Sequence, residues 1–168
     1  MGHPDFKINV NLSVVQLLQN DIVKKIKKVL EDTHLNPHNL TLEVTESLAV
    51  NDMDRMKRIL SEIKNLGIRV ALDDFGTGYS SLNHIREMPL DVIKIDRCFV
   101  EHLGDEDFSD AFVKMVSELA NSIGVYVCVE GVETEKQLEI VTGMNINMIQ
   151  GYLFGKPMKI EEYEMLYL

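Results

Sequence analysis

Short runs of β-branched and aliphatic residues alternate along this chain with segments of helical period. The runs are Ile8 to Leu12, Leu40 to Thr45, Ile68 to Leu72, Val92 to Ile95, Val125 to Val129 and Met148 to Phe154. Each reads as a strand. Between them, apolar residues recur at three- and four-residue steps: Val15, Leu18, Ile22, Ile26 and Val29, then Met53, Met56, Ile59, Leu60, Ile63 and Leu66, then Phe112, Met115, Val116 and Leu119. That spacing predicts helices with one buried face. Ser13 with Gln16 and Thr134 with Gln137 have capping-box spacing just before helical segments, so the strand-to-helix direction is marked twice. Strands alternating with helices predict an α/β fold with a parallel sheet. The acidic stretch from Glu101 to Asp107 is an ordinary connection rather than a linker between domains.

A parallel strand covered by helices on both faces reads as nearly continuous Val, Ile and Leu. These runs depart from that rule at their C-terminal ends, with Asn9 and Asn11, Glu43 and Glu46, Asp73 and Asp74, Lys94 and Asp96, Glu130 and Glu133, and Gln150. In parallel α/β architectures those ends share one face, which is where ligands bind. A single carboxylate there could be solvated or could cap the next helix. Seven converging on one face would repel strongly unless cations neutralise them.

Charge sharpens this picture. Acidic residues outnumber basic ones 27 to 17 in a chain of 168, and those seven carboxylates account for most of the formal charge of −10. Such a balance disfavours DNA or an anionic membrane surface as partner and leaves small ligands open. No apolar run approaches the ~18 residues of a membrane helix. Two distant cysteines, Cys98 and Cys128, form no disulfide framework or zinc knuckle, which suits a reducing cytoplasm. None of the five histidines falls at a strand end. A site built from oxygen donors favours magnesium or manganese, with calcium as a non-productive substitute. Seven carboxylates exceed what one ion needs, and paired metals suit in-line attack on phosphodiesters.

Asp73-Asp74 is the natural centre of such a site. Adjacent strand residues point to opposite faces, so both reach one site only where the strand bends, and Phe75-Gly76-Thr77-Gly78 is expected to supply the bend. Gly76 and Gly78 also invite a dinucleotide-binding reading, but Ser81 stands in the third glycine's place and two aspartates precede the turn. Lys94 and Asp96, two apart on a strand, suit an amine that orients a metal-bound water beside a carboxylate, or a plain buried ion pair. Lys94 beside metal-binding carboxylates could also act as base toward a carbon acid, as in a metal-assisted enolising barrel. The methionines, Met148 included, read as core filler.

Six motifs in order resemble the EAL-domain cyclic di-GMP phosphodiesterases of bacteria. They are Val10-Asn11-Leu12-Ser13, Glu43-Val44-Thr45-Glu46-Ser47, Asp73-Asp74-Phe75-Gly76-Thr77-Gly78-Tyr79-Ser80-Ser81, Lys94-Ile95-Asp96-Arg97, Glu130-Gly131-Val132-Glu133-Thr134 and Gln150-Gly151-Tyr152-Leu153-Phe154. The resemblance implies a modified (β/α)₈ TIM-type barrel that opens cyclic di-GMP to linear pGpG using two magnesium or manganese ions. It implies Asn11, Glu43 and Asp73 at the first metal, with Asp73 bridging to a second held by Asp74 and Glu130. Lys94 would hold the attacking water, and Asp96 would neighbour it. Glu46 would anchor the loop from Asp73 to Ser81, and Glu133 and Gln150 would stand on the substrate side.

The Glu-Ala-Leu motif that names the family is absent from this chain. A (β/α)₈ barrel usually needs about 250 residues. The expectation is therefore an incomplete barrel of about six βα units, a partial EAL domain over residues 1–168 with residues 1–7 as a disordered or expression-derived leader. Open strand edges at Ile8 to Leu12 and Met148 to Phe154 would then pair with another chain, most simply as a homodimer, with the Asp73 to Ser81 loop as a second contact. Two functions stay open: a metal-dependent phosphodiesterase, and an inactive cyclic di-GMP-binding or protein-interaction module.

Overall fold

A computed structural model describes residues 6–45, 53–78, 82–105 and 107–167, with the side chains of 82–84 excepted. Six strands, β1 (Ile8–Asn11), β2 (Leu40–Thr45), β3 (Arg69–Phe75), β4 (Val92–Ile95), β5 (Tyr126–Val129) and β6 (Met148–Ile149), form one sheet. Its spatial order is the chain order, β1-β2-β3-β4-β5-β6, and every neighbouring pair is parallel. That order decides the architecture. A doubly wound sheet reverses direction partway and places helices on both faces. Here every crossover steps the same way, so the helices collect on one face and the sheet curls around the other. The result is an α/β half-barrel, the incomplete TIM-type barrel expected from the family resemblance and the chain length.

The two faces divide the core. Leu42, Val44, Val70, Leu72, Ile93, Ile95, Val127 and Val129 point outward and are buried under the helices together with Met56, Leu60, Ile63, Val113 and Val116. The alternate residues line the concave face, where Ala71, Val92 and Cys128 form a small apolar cluster beneath the polar groups. Strand periodicity of two thus sorts one residue set to the core and the next to the site.

The described residues include eight α-helices: α1 (Val14–Leu17), α2 (Ile22–Thr33), α3 (Met53–Asn65), α4 (Leu82–Glu87), α5 (Arg97–Val100), α6 (Asp107–Ser122), α7 (Glu135–Thr142) and α8 (Ile160–Tyr167). Both capping boxes form as the spacing suggests, with the Ser13 and Thr134 hydroxyls accepting from the backbone N–H of Gln16 and Gln137. Two expectations need correction. The period from Val15 to Val29 is not one helix, because the chain turns between α1 and α2. Leu17, Ile22 and Leu30 are buried there, while Val15 and Val29 are exposed. Arg55 donates to the Leu18 carbonyl and the Asn20 side chain, fastening the break. In α6 the buried face is Ser109, Val113, Val116, Ser117 and Ala120, so Met115 is exposed rather than core.

The last strand is also shorter than its run. After Ile149 the chain folds tightly against the segment following β5, with Val132 N–H donating to the Gln150 carbonyl and Leu153 N–H to the Val132 carbonyl. A Cβ on Gly151 would lie 2.0 Å from the Val132 oxygen, so only glycine admits this approach. Phe6 packs edge-on against Tyr163 of α8 with ring centroids 5.9 Å apart, which brings the start of β1 beside the last helix. Among the described residues no helix is long and apolar enough to cross a membrane.

Candidate metal centre

Lys94 stands at the centre of the concave face, where Glu43 (β2), Asp73 (β3) and Glu130 (just after β5) converge on it. Its Nζ lies 2.8 Å from Glu43 Oε1, 2.8 Å from Asp73 Oδ1 and 2.7 Å from Glu130 Oε1. Lys94, Glu43 and Asp73 are 4%, 7% and 9% exposed, so these charges interact away from bulk water. Burial would lower the lysine pKa, but Asp73, Glu130 and Glu43 outweigh it and hold the ammonium above its ordinary value. Glu130 shifts upward, chiefly because burial disfavours its charge, although Lys94 opposes the shift.

Asp74 joins this group through a backbone irregularity. Leu72 pairs with Ile93 and Phe75 with Ile95, so two residues of β3 oppose the single Lys94 of β4. This is a β-bulge, and Asp74 adopts the left-handed region at φ 55° to make it. Asp74 therefore lines the cavity and Asp73 turns to the buried Lys94, while Phe75 returns to the core under the helices. The bend was expected at Phe75 to Gly78; it lies one residue earlier, at Asp74 itself, and Gly76 then turns the chain with φ 100°. Beneath Gly76, Phe99 and Phe112 stack at 4.0 Å, and a Cβ there would meet their rings at 2.5 and 2.7 Å.

Oxygen atoms of Asp73, Asp74 and Glu130 lie within 4.8 Å of one another. Asp74 shifts upward in pKa, through burial first and then through repulsion by Asp73 and Asp96. Four carboxylates face one ammonium here, and buried Asp73 Oδ1 meets Lys94 at ion-pair distance without an aligned hydrogen bond. An all-oxygen donor set with an under-satisfied buried oxygen fits a hard divalent cation.

The remaining expected site residues take other places. Asp96 caps α5, its carboxylate accepting from Cys98 N–H at 2.9 Å, and it also faces the cavity. Glu133 and Gln150 line the same cavity of about 1340 Å³. Asn11 lies opposite Glu43 in the β1–β2 register. Glu46 lies outside the described residues. One contact was not singled out from the sequence: Asn9 Nδ2 donates to Glu43 Oε1 at 2.9 Å. Its signal was the two-residue spacing from Asn11, which puts both asparagines on one face of β1.

A parallel half-barrel with an acidic rim at the C-terminal ends of its strands defines a class of barrel-type α/β domains whose chemistry lies in that rim. The EAL domain family model matches residues 1–157, and the chain belongs to that family. It is 39% identical over 161 residues to the bifunctional diguanylate cyclase/cyclic di-GMP phosphodiesterase MucR of Pseudomonas aeruginosa, covering 96% of this chain and 24% of MucR. The chain thus spans about a quarter of that relative's length. It superposes with a TM-score of 0.90 on the PaMucR phosphodiesterase in its c-di-GMP complex, at 39% identity over 96% of this chain and 66% of that one. Klebsiella pneumoniae BlrP1, in a manganese and cyclic di-GMP complex, superposes at 0.83 with 29% identity, covering 90% of this chain and 39% of BlrP1.

Proposed function

We propose that this chain is a metal-dependent phosphodiesterase unit that hydrolyses cyclic di-GMP to pGpG. The observation carrying this reading is the convergence of Glu43, Asp73, Asp74 and Glu130 on Lys94 at one end of the strands of an EAL domain. The names of the MucR and BlrP1 structures, which hold cyclic di-GMP and in one case manganese, support the ligand and the ion.

Asn11, Glu43 and Asp73 would hold one magnesium or manganese ion, and Asp73, Asp74 and Glu130 a second, with calcium binding unproductively. Bound there, the ions would supply Lewis-acid stabilisation of the charge developing on the phosphoryl oxygens. Lys94, which lies at ion-pair distance from three carboxylates, would also donate a hydrogen bond to an attacking water. The water oxygen forms a bond to phosphorus, the bond from phosphorus to the ribose 3′ oxygen breaks, and that oxygen takes up a proton. Asp96 would steady the water beside Lys94, while Glu133 and Gln150, on the cavity wall, would face the nucleotide. Glu46 is assigned the anchoring of the Asp73 to Ser81 loop. The unit would act in the cytoplasm, as a homodimer formed through β1 and β6 or through that loop.

The test is conversion of cyclic di-GMP by the purified chain with manganese, with Glu130→Ala as control. Linear product that disappears in the control is the expected result. Tight cyclic di-GMP binding without turnover would make the chain a binding module, and absence of both would overturn the reading.

A further inference from the structure

We infer that Asn9 is a positioning residue that fixes the Glu43 carboxylate for cation binding, an inference that rests on the metal reading above. Glu43 accepts from Asn9 Nδ2 at 2.9 Å and from Lys94 Nζ at 2.8 Å, and both contacts fall on the same oxygen, Oε1. Two donors, one from the adjacent strand β1 and one from β4 two strands away on the other side, therefore set the rotation of this carboxylate and leave Oε2 outside both contacts. A carboxylate bound only by Lys94 would keep a torsional freedom that ordering around a cation must remove.

The register says why the clamp comes from position 9 and not from position 11. Asn9 is aligned with Thr41 and Asn11 with Glu43, so Asn9 sits one pleat below and reaches up to the carboxylate. It holds Glu43 from the floor of the cavity, and Asn11, two residues nearer the strand ends, is left on the side where a cation would enter. Groups that orient a metal-binding residue from behind in this way commonly change affinity ten- to a hundredfold when removed.

Asn9 itself is exposed on the edge strand, and the β1–β2 pairing does not depend on its side chain. This separates a positioning role from a structural one. Manganese affinity is measured calorimetrically for the whole chain, without substrate, alongside the melting temperature in chelator. Asn9→Ala is expected to weaken manganese binding about tenfold with the melting temperature nearly unchanged. In a Glu43→Gln background the same substitution is expected to add no further loss, because Asn9 acts through that carboxylate. With cyclic di-GMP as substrate, kcat falls and KM stays near the original value.

Manganese affinity of Asn9→Ala equal to that of the unaltered chain overturns the inference while leaving the metal reading intact. A variant that no longer folds also overturns it, since Asn9 would then belong to the scaffold. If the unaltered chain itself binds no manganese, the metal reading fails and this inference with it.

Discussion

At the scale of single residues, the site is organised by Lys94. Two buried carboxylates and the partly buried Glu130 share one ammonium, and removing it leaves like charges facing each other with little solvent to separate them. Lys94→Met is expected to destabilise the metal-free protein by about 3 kcal/mol and to lower turnover at least a hundredfold. Saturating manganese should raise the melting temperature of the variant more than that of the unaltered chain, because cations then supply the missing positive charge. Differential scanning fluorimetry with and without manganese checks this; equal increments would show that Lys94 carries none of that compensation. The polarity of the strand ends made Glu43, Asp73, Asp74, Lys94 and Glu130 legible from sequence. The second duty of Asp96 was not, since an acid at a strand end and an acid capping the following helix look the same in a string of residues.

Elements carry the next layer. Gly76 and the Phe99–Phe112 stack act as one unit: a positive φ with no room for a Cβ, set against two rings 4.0 Å apart. Gly76→Ala is therefore expected to cost about 2 kcal/mol in urea denaturation and to loosen Asp74, two residues earlier, so that turnover falls by more than stability loss alone explains. A double variant with Phe112→Ala, which removes one of the two rings and gives the Phe99 ring room to shift, should recover part of the stability but not the turnover. Capping boxes announced where α1 and α7 begin, because three-residue spacing is a local signal. The break between α1 and α2 depends on Arg55, 35 residues away from Asn20, and no local pattern carries that contact. The aromatic partners of Gly76 come from α5 and α6 and were hidden for the same reason.

For the whole molecule, the sequential strand order leaves β1 and β6 as the two edges of the sheet among the described residues. Val10 on β1 and Tyr152 and Phe154 just beyond β6 are 44%, 53% and 54% exposed. Open parallel edges with apolar side chains beside them favour pairing with another chain. Sedimentation velocity is expected to give a dimer, and a Val10→Lys change on the edge should shift it toward monomer. A monodisperse monomer at high concentration would count against edge pairing. The α/β class and the parallel sheet followed from alternation of period two and period 3.6 along the chain. The extent of curl follows instead from the spatial order of strands, a property of pairing that no single run contains.

The bulge at Asp74 has one more consequence. A strand normally keeps a strict in-out parity, so a single inserted or deleted residue exchanges its wet and dry faces. In β3 that parity is deliberately reset once: Leu72 and Phe75, three apart, both belong to the dry side. The stretch behaves as two half-strands in different reading frames, joined at Asp74. Chimeras that exchange segments with a relative must therefore cut outside the pair Asp73-Asp74 and never between them. A donor strand lacking the extra residue would keep Phe75 opposite Ile95 on the dry side by ordinary alternation, and would lose the second aspartate from the site while leaving the core intact.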